Sequence, residues 1–300
     1  MKCKILNNEE GIILNDTSGR NEFMESHDLW IFKHVAELQS ISKAAEKLDY
    51  VQPNVSQRIK GLEGELGVKL FIRNNRGVTL TEEGKVLLDY TNQILLLMDE
   101  AKSLVNPKKW KESLAIGASQ TISAVKIPQL FSSFLSENKN IEVKIRTNDQ
   151  EKLQEMLTYG ELDGVFINGT SKESQFETVY SYFEKLVLIS PKNNQYEKNP
   201  MLIVNSDKNC IYRKKTLSLF NDNPSIIEFD SLESILQAVH DGLGISILSE
   251  EVANNRKNMQ CIQYKELSET IKVDFIIKQR KNHSQSLKKF INFLQKTSIY

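Results

Sequence analysis

Cysteine is scarce in this chain of 300 residues, and what there is does not pair. Cys3, Cys210 and Cys261 are odd in number, far apart and free of any Cys-x-x-Cys spacing, which excludes a disulfide framework and a cysteine-built zinc site. Proline and glycine are sparse as well, at 6 and 13 residues, which excludes collagen-like and low-complexity architectures. Net charge is missing: 39 Lys and Arg balance 39 Asp and Glu, so the chain as a whole does not read as a polybasic nucleic-acid or membrane binder. Long apolar runs are missing too. The longest, such as residues 94–98, span five residues, far short of the roughly 18 that suggest a membrane span. The first residues lack the apolar stretch of a secretory signal, so a cytoplasmic protein without a membrane partner is expected.

Chemistry is equally thin on the usual counts. The four histidines, His27, His34, His240 and His283, form no HExxH, and the GxSxG, P-loop and GxGxxG patterns do not occur. No nucleophile–base pair stands out, so the reading is of a non-enzyme without metal or cofactor. What the chain does have is enough apolar content, 40 %, to build two or three cores.

Residues 1–23 are polar and without period and read as an N-terminal extension. From Asp28 the apolar spacing is helical, through Leu29, Phe32, Val35 and Ala36. A short helix over 42–48 with a Ser cap follows. A third helix opens at Gln52-Pro53, with proline in its first turn, and stops at Gly67. Residues 68–72 and 78–80 then read as a hairpin around a polar tip at 73–77. Thr81 caps a long helix to about residue 105. Leu87, Tyr90, Ile94, Leu97, Ala101 and Leu104 alternate along it by threes and fours, a seam suited to a dimer. Residues 107–113 read as a hinge.

Beyond 114 the rhythm becomes βαβαβ, which implies a mostly parallel sheet covered on both faces. A second set of strands and helices begins near Met201, and residues 185–191 look like a strand entering a crossover between the sets. The expected fold is therefore α/β: a winged helix-turn-helix over 24–81, a linker helix over 82–106, and a two-lobed domain over 114–300. Its first lobe would comprise about 114–190 and 271–300, and its second about 191–270. Gly242-Leu-Gly244 lies after a helix and before a strand, the reverse of a dinucleotide loop, so it reads as a helix stop.

Three helices and a hairpin can place the third helix in the major groove and the wing on the backbone. Residues 52–81 hold five basic and two acidic side chains, a local excess of positive charge inside a neutral chain. Gln52, Asn54, Ser56 and Gln57 can read base edges, and Arg58, Lys60, Arg73 and Arg76 can reach phosphates. The plain alternative is a merely solvated polar face.

At this point the residues become specific. Ser42-Lys-Ala-Ala-Glu-Lys-Leu48, Gln52-Pro-Asn-Val-Ser-Gln-Arg-Ile59, Leu62-Glu-Gly-Glu-Leu-Gly-Val-Lys-Leu-Phe71 and Gly77-Val-Thr-Leu-Thr-Glu-Glu-Gly84 resemble the DNA-binding domain of LysR-type transcriptional regulators over about 60 residues. The resemblance implies a winged helix, a dimerising linker helix, and an effector domain similar to periplasmic binding proteins. It implies Gln52, Pro53, Asn54, Ser56 and Gln57 at the start of the recognition helix and Arg73 on the wing, with Arg76 a second backbone contact. Many relatives carry an Arg at the position of Gln57, whereas here it falls at Arg58, which leaves the split between base and phosphate contact open. The implied partners are double-stranded promoter DNA, further copies of the chain (homodimer or homotetramer), a small-molecule effector and, at a promoter, RNA polymerase.

The effector would sit between the lobes, at strand ends. By position these are Ser119, Gln120 and Thr121, then Asn148 and Gln150, Asn168, Cys210 and Tyr212, and Asp230. For each alone an ordinary loop or cap role competes. Arg213 is equally suited to an acidic ligand and to a structural role. Cys210, with no second cysteine at fixed spacing, reads as a small polar cleft residue rather than a redox sensor. The competing class is a solute-binding or enzymatic α/β protein carrying an extra helical domain, and the 52–81 segment is what separates the two.

Overall fold

The computed structural model describes residues 24–75, 77–171, 173–192, 200–219, 224–255, 262–280 and 282–297. The expected extension over 1–23, and Arg76 at the wing tip, lie outside them.

The winged helix is built from α1 (Ser26–Leu38), α2 (Ile41–Lys47), α3 (Gln52–Leu66), β1 (Phe71–Asn74) and β2 (Gly77–Leu80). Its core joins Ile31, Phe32 and Val35 to Ala44, Val55, Ile59, Leu62, Leu70 and Leu88, so one apolar stripe from each helix meets the base of the hairpin. The cap of α2 is Ser40, not Ser42: the Ser40 hydroxyl accepts from the Lys43 amide at 3.3 Å, while Ser42 already lies inside the first turn. Gly67 ends α3 at φ 68°, the left-handed conformation in which glycine carries no steric penalty. The hairpin closes more tightly than expected, Asn74 opposite Gly77.

Thr81 caps α4 (Glu82–Val105), accepting from the Gly84 amide at 2.9 Å. The helix has 24 residues, about 36 Å at 1.5 Å per residue. It buries Leu88, Thr91, Asn92 and Ser103 against its own chain.

The first lobe contains β3 (Glu112–Ala118), α5 (Gln120–Ala124), α6 (Lys126–Glu137), β4 (Ile141–Thr147), α7 (Gln150–Tyr159) and β5 (Gly164–Asn168). Then β6 (Phe176–Pro191) leads to β7 (Leu202–Asn205), α8 (Ile211–Ser218), β8 (Ile226–Phe229), α9 (Leu232–His240), β9 (Ser246–Ser249) and α10 (Glu250–Asn254). The return is β10 (Ile262–Lys278), and α11 (Gln285–Thr297) closes the order.

The large sheet runs β4-β3-β5-β10-β6-β9. Only β4, β3 and β5 are parallel; β10 pairs antiparallel to both β5 and β6, and β9 antiparallel to β6. The expectation of a mostly parallel sheet is corrected to a mixed one. The reason is that β6 and β10 are single long strands of 16 and 17 residues that carry the chain out to the second lobe and back. The boundary expected at residue 190 therefore falls inside β6, whose residues from Leu186 already pack in the second lobe. In the first lobe α6 and α11 cover one face through Phe131, Phe134 and Phe290, and α7 covers the other through Leu153 and Leu157.

Candidate nucleic-acid interface and interlobe cleft

The N-terminal turn of α3 stands clear of the core. Gln52, Pro53, Asn54, Gln57 and Arg58 are exposed and Ser56 is half-buried, while Val55 and Ile59 point inward. The 3.6-residue period does this: two apolar anchors on one stripe leave the intervening polar residues on the other. Arg73 is exposed on β1, the first strand of the wing. Glu63, buried on the inner side of α3, holds the hairpin to the helix: its carboxylate accepts from Leu70 N at 3.0 Å and Lys69 Nζ at 2.7 Å. Burial pushes the Glu63 carboxyl up, but Lys69 and the Leu70 and Phe71 amides together hold it below its ordinary range.

Arg58 is not free. Its Nη1 pairs with Asp28 Oδ1 at 3.0 Å and Glu25 Oε2 at 3.5 Å, and the Asp28 charge raises the guanidinium pKa. The sequence reading had it able to reach phosphate, with the split between base and phosphate contact open; in the structure it is tied to the start of α1.

Along α4, the seam residues Tyr90, Leu97 and Leu104 are 62 %, 56 % and 79 % exposed, and Ala101 is exposed beside them. Leu87 and Ile94 are half-buried, Leu87 packing on the winged-helix core. Val86, Met98, Val105 and Trp110 widen the exposed apolar face.

Between the lobes lies a cavity of about 370 Å³, at the carboxyl ends of β3, β4, β5, β7 and β8, where an α/β fold leaves its crevice. All nine residues expected from strand ends line it: Ser119, Gln120, Thr121, Asn148, Gln150, Asn168, Cys210, Tyr212 and Asp230. Their roles differ. Gln120 bridges the lobes, donating to Asp230 O at 2.9 Å and accepting from Leu232 N at 3.1 Å. The Tyr212 hydroxyl is turned away to donate to Glu184, a buried carboxyl on β6 that burial pushes up and that also accepts from Tyr182. Tyr212 therefore offers the cavity its ring, not its hydroxyl. Burial raises the Cys210 thiol above its usual range, which disfavours the thiolate.

Arg213 is committed to structure. It donates to Asn205 O at 2.7 Å and pairs with Glu228 at 2.6 Å, tying α8 to the β7–β8 pair. Two wall atoms, Ser119 Oγ and Asn168 Oδ1, are buried without a hydrogen-bond partner among the described residues, the mark of a wall that expects polar company. The sequence reading missed Asn205 to Asn209. Its polar run had no period; side chains order the turn, Asn205 accepting from Asp207 N and Asp207 from Asn209 N, each at 2.8 Å.

Residues 26–85 match the family of bacterial regulatory helix-turn-helix proteins of the lysR type, and residues 108–298 match the LysR substrate binding domain. The chain belongs to the LysR family of transcriptional regulators. This LysR-type regulator is 37 % identical to YusT of Bacillus subtilis, an uncharacterized HTH-type transcriptional regulator, over 90 % of the chain and 95 % of the relative. It is 33 % identical to the regulator CzcR of Bacillus cereus over 91 % and 97 %. Among solved structures, full-length OxyR from Pseudomonas aeruginosa superimposes with a TM-score of 0.70 at 22 % identity, covering 91 % and 95 % of the two chains. LysG from Corynebacterium glutamicum, solved with bound effector Arg, gives 0.65 at 19 % over 92 % and 98 %. A LysR regulator binds DNA through its helix-turn-helix and carries an effector domain; both parts of that description have a place in this fold. Among the described residues no helix is long and apolar enough to cross a membrane.

Proposed function

We propose that this regulator binds promoter DNA as a dimer or tetramer, reading bases with the start of α3 and phosphates with the wing. A small molecule held in the interlobe cleft sets its activity, and RNA polymerase is the partner it meets at the promoter. The observation that carries the reading is the exposed polar start of α3, Gln52, Asn54 and Gln57, in one chain with an exposed Arg73 on the wing and a polar cavity between two lobes. The exposed apolar stripe Tyr90, Leu97 and Leu104 supports pairing of two linker helices. The roles proposed are base contact for Gln52, Asn54, Ser56 and Gln57, helix entry for Pro53, and phosphate contact for Arg73 and Arg76.

The charge of the cavity wall narrows the effector. Asp149, Asp207 and Asp230 line it, and its cation among the described residues, Arg213, is already paired. That supports an effector that donates N–H groups and carries little negative charge, since a dianion would meet carboxylates without a free counter-charge.

Two measurements test this. Full-length chain is used to enrich duplexes from a randomised pool, and binding is followed across a salt series. Failure to enrich any sequence removes the regulator reading. Thermal shifts of the same chain with amino compounds and with dicarboxylates, each supplied in excess, test the effector class. A ligand of the native state raises stability, and a shift with dicarboxylates instead of amines reverses the charge argument.

A further inference from the structure

One short helix touches both working ends of the molecule. The N-terminus of α7 is part of the cleft: Asp149 and Gln150 line the wall, and Glu151 accepts from Asn209 Nδ2 of the second lobe at 2.8 Å. Its ten residues span about 15 Å, and its far end meets the winged helix. There Glu155 Oε1 accepts from Gln39 Nε2 at 3.0 Å, and the Tyr159 hydroxyl lies 3.3 Å from the same nitrogen. Tyr159 also packs on the winged-helix core.

Around this contact the docking is dense. Lys33 of α1 donates to Gly160 O at 3.3 Å, and Asn92 of α4 donates to Tyr159 O at 3.2 Å. Lys278 bridges Thr158 O and Asp89 of α4, at 2.8 and 2.6 Å. Gly160 sits at φ 77°, and a Cβ there would fall 2.5 Å from the Asn92 amide, so the turn can approach α4 this closely only as glycine.

Gln39 is the connecting piece. It stands at φ 49°, a conformation that glycine would adopt without strain, yet only a side chain can hold α7. Its own carbonyl accepts from Val78 N of the wing at 2.9 Å, and the hairpin presses so near that a Cβ on Gly77 would lie 2.3 Å from that oxygen. The path is continuous: Asn209, Glu151, the rigid helix, Glu155 and Tyr159, Gln39, Val78.

We propose that α7 is the link through which the state of the cleft sets the position of the DNA-contacting wing, with Gln39 as the positioning residue. The inference rests on the reading of the cleft as an effector site, but the hydrogen-bonded path can be tested without knowing the effector, because Asn209 is the second lobe's grip on α7. The test is a double-mutant cycle on the affinity of the full-length chain for its enriched duplex, with Asn209→Ala and Gln39→Gly. Each single substitution is expected to change affinity about fivefold or more, and Asn209→Ala is expected to lose its effect in the Gln39→Gly background. Glu155→Ala, at the surface of α7, provides the same cycle should Gln39→Gly fold poorly. Equal effects of Asn209→Ala in both backgrounds, or no effect of Asn209→Ala at all, overturn the link while leaving a DNA-binding regulator in place. Absence of sequence-selective binding by the unsubstituted chain overturns the function and the link together.

Discussion

Arg58 of the recognition helix is held by Asp28 of the first helix, 3.0 Å from nitrogen to oxygen. The pair spans two elements whose packing the core already fixes, so it adds little to stability: an exposed ion pair is worth less than about 1 kcal/mol. Its effect falls on DNA. A phosphate seeking Arg58 must compete with a carboxylate that is always present. Asp28→Asn is expected to leave the melting temperature nearly unchanged and to tighten binding to all duplexes alike. The salt dependence of log K should steepen by up to about 0.9 per phosphate gained. An unchanged slope would mean that Arg58 does not reach the backbone.

The Gln120 side chain is a hydrogen-bonded clasp at the cleft that both donates to and accepts from the opposite lobe. With a net worth of about 0.5–1.5 kcal/mol per bond, its removal in Gln120→Ala should open the lobes more often without unfolding either. Faster hydrogen exchange at the Leu232 amide, with the core strands unaffected, is the expected reading. Unaltered exchange there would show that the Gln120 clasp does not hold the lobes together.

Leu97 and Leu104 lie one heptad apart on an apolar stripe that the described residues leave mostly exposed. Leu97→Asp should convert the proposed dimer to monomer by light scattering, with a circular-dichroism spectrum close to the parent, because Leu97 is mostly exposed and joins no core cluster among the described residues. Retention of the dimer would move the interface elsewhere.

Glu63 sets an acid limit on the winged helix. Its folded carboxyl titrates below the ordinary value of 4.5, so its stabilisation is complete above that pH and is lost as pH falls through the lowered value. Glu63→Gln should cost about 1–2 kcal/mol at pH 7 and flatten the dependence of stability on pH below 4.5. Chemical denaturation at pH 7, 5 and 4 checks both signs. A variant that keeps the steep acid limb would place the responsible carboxylate elsewhere.

Much of this was written in local chemistry. Pro53 and Gly67 bound α3, and Thr81 opens α4, because each solves a backbone problem within a few residues. The cleft positions followed from connectivity: where strands feed helices, the loops at carboxyl ends gather on one side, whatever the side chains are. What stayed hidden depends on partners distant in sequence. Residues 176–184 and 262–272 mix Tyr, Thr, Glu and Lys with apolar residues in no pattern that names a partner, until each is set against the other, as in Lys272 opposite Phe183. The same holds for Arg58, whose acid lies 30 residues upstream, and for Arg213, whose choice between ligand and structure was decided by Glu228 on a neighbouring strand.

The long strand β10 bears on the order in which the protein becomes functional. The winged helix takes nearly all of its core from residues 31–88, so it is ready early as the chain leaves the ribosome. The first lobe cannot close until Val273, Phe275 and Phe290 arrive to cover Leu114 and Ile116. Domains fold as their residues emerge, N-terminal first. A nascent chain therefore acquires its grip on the operator well before it acquires the sensor, and translation that stalls in between would leave a DNA binder deaf to its signal.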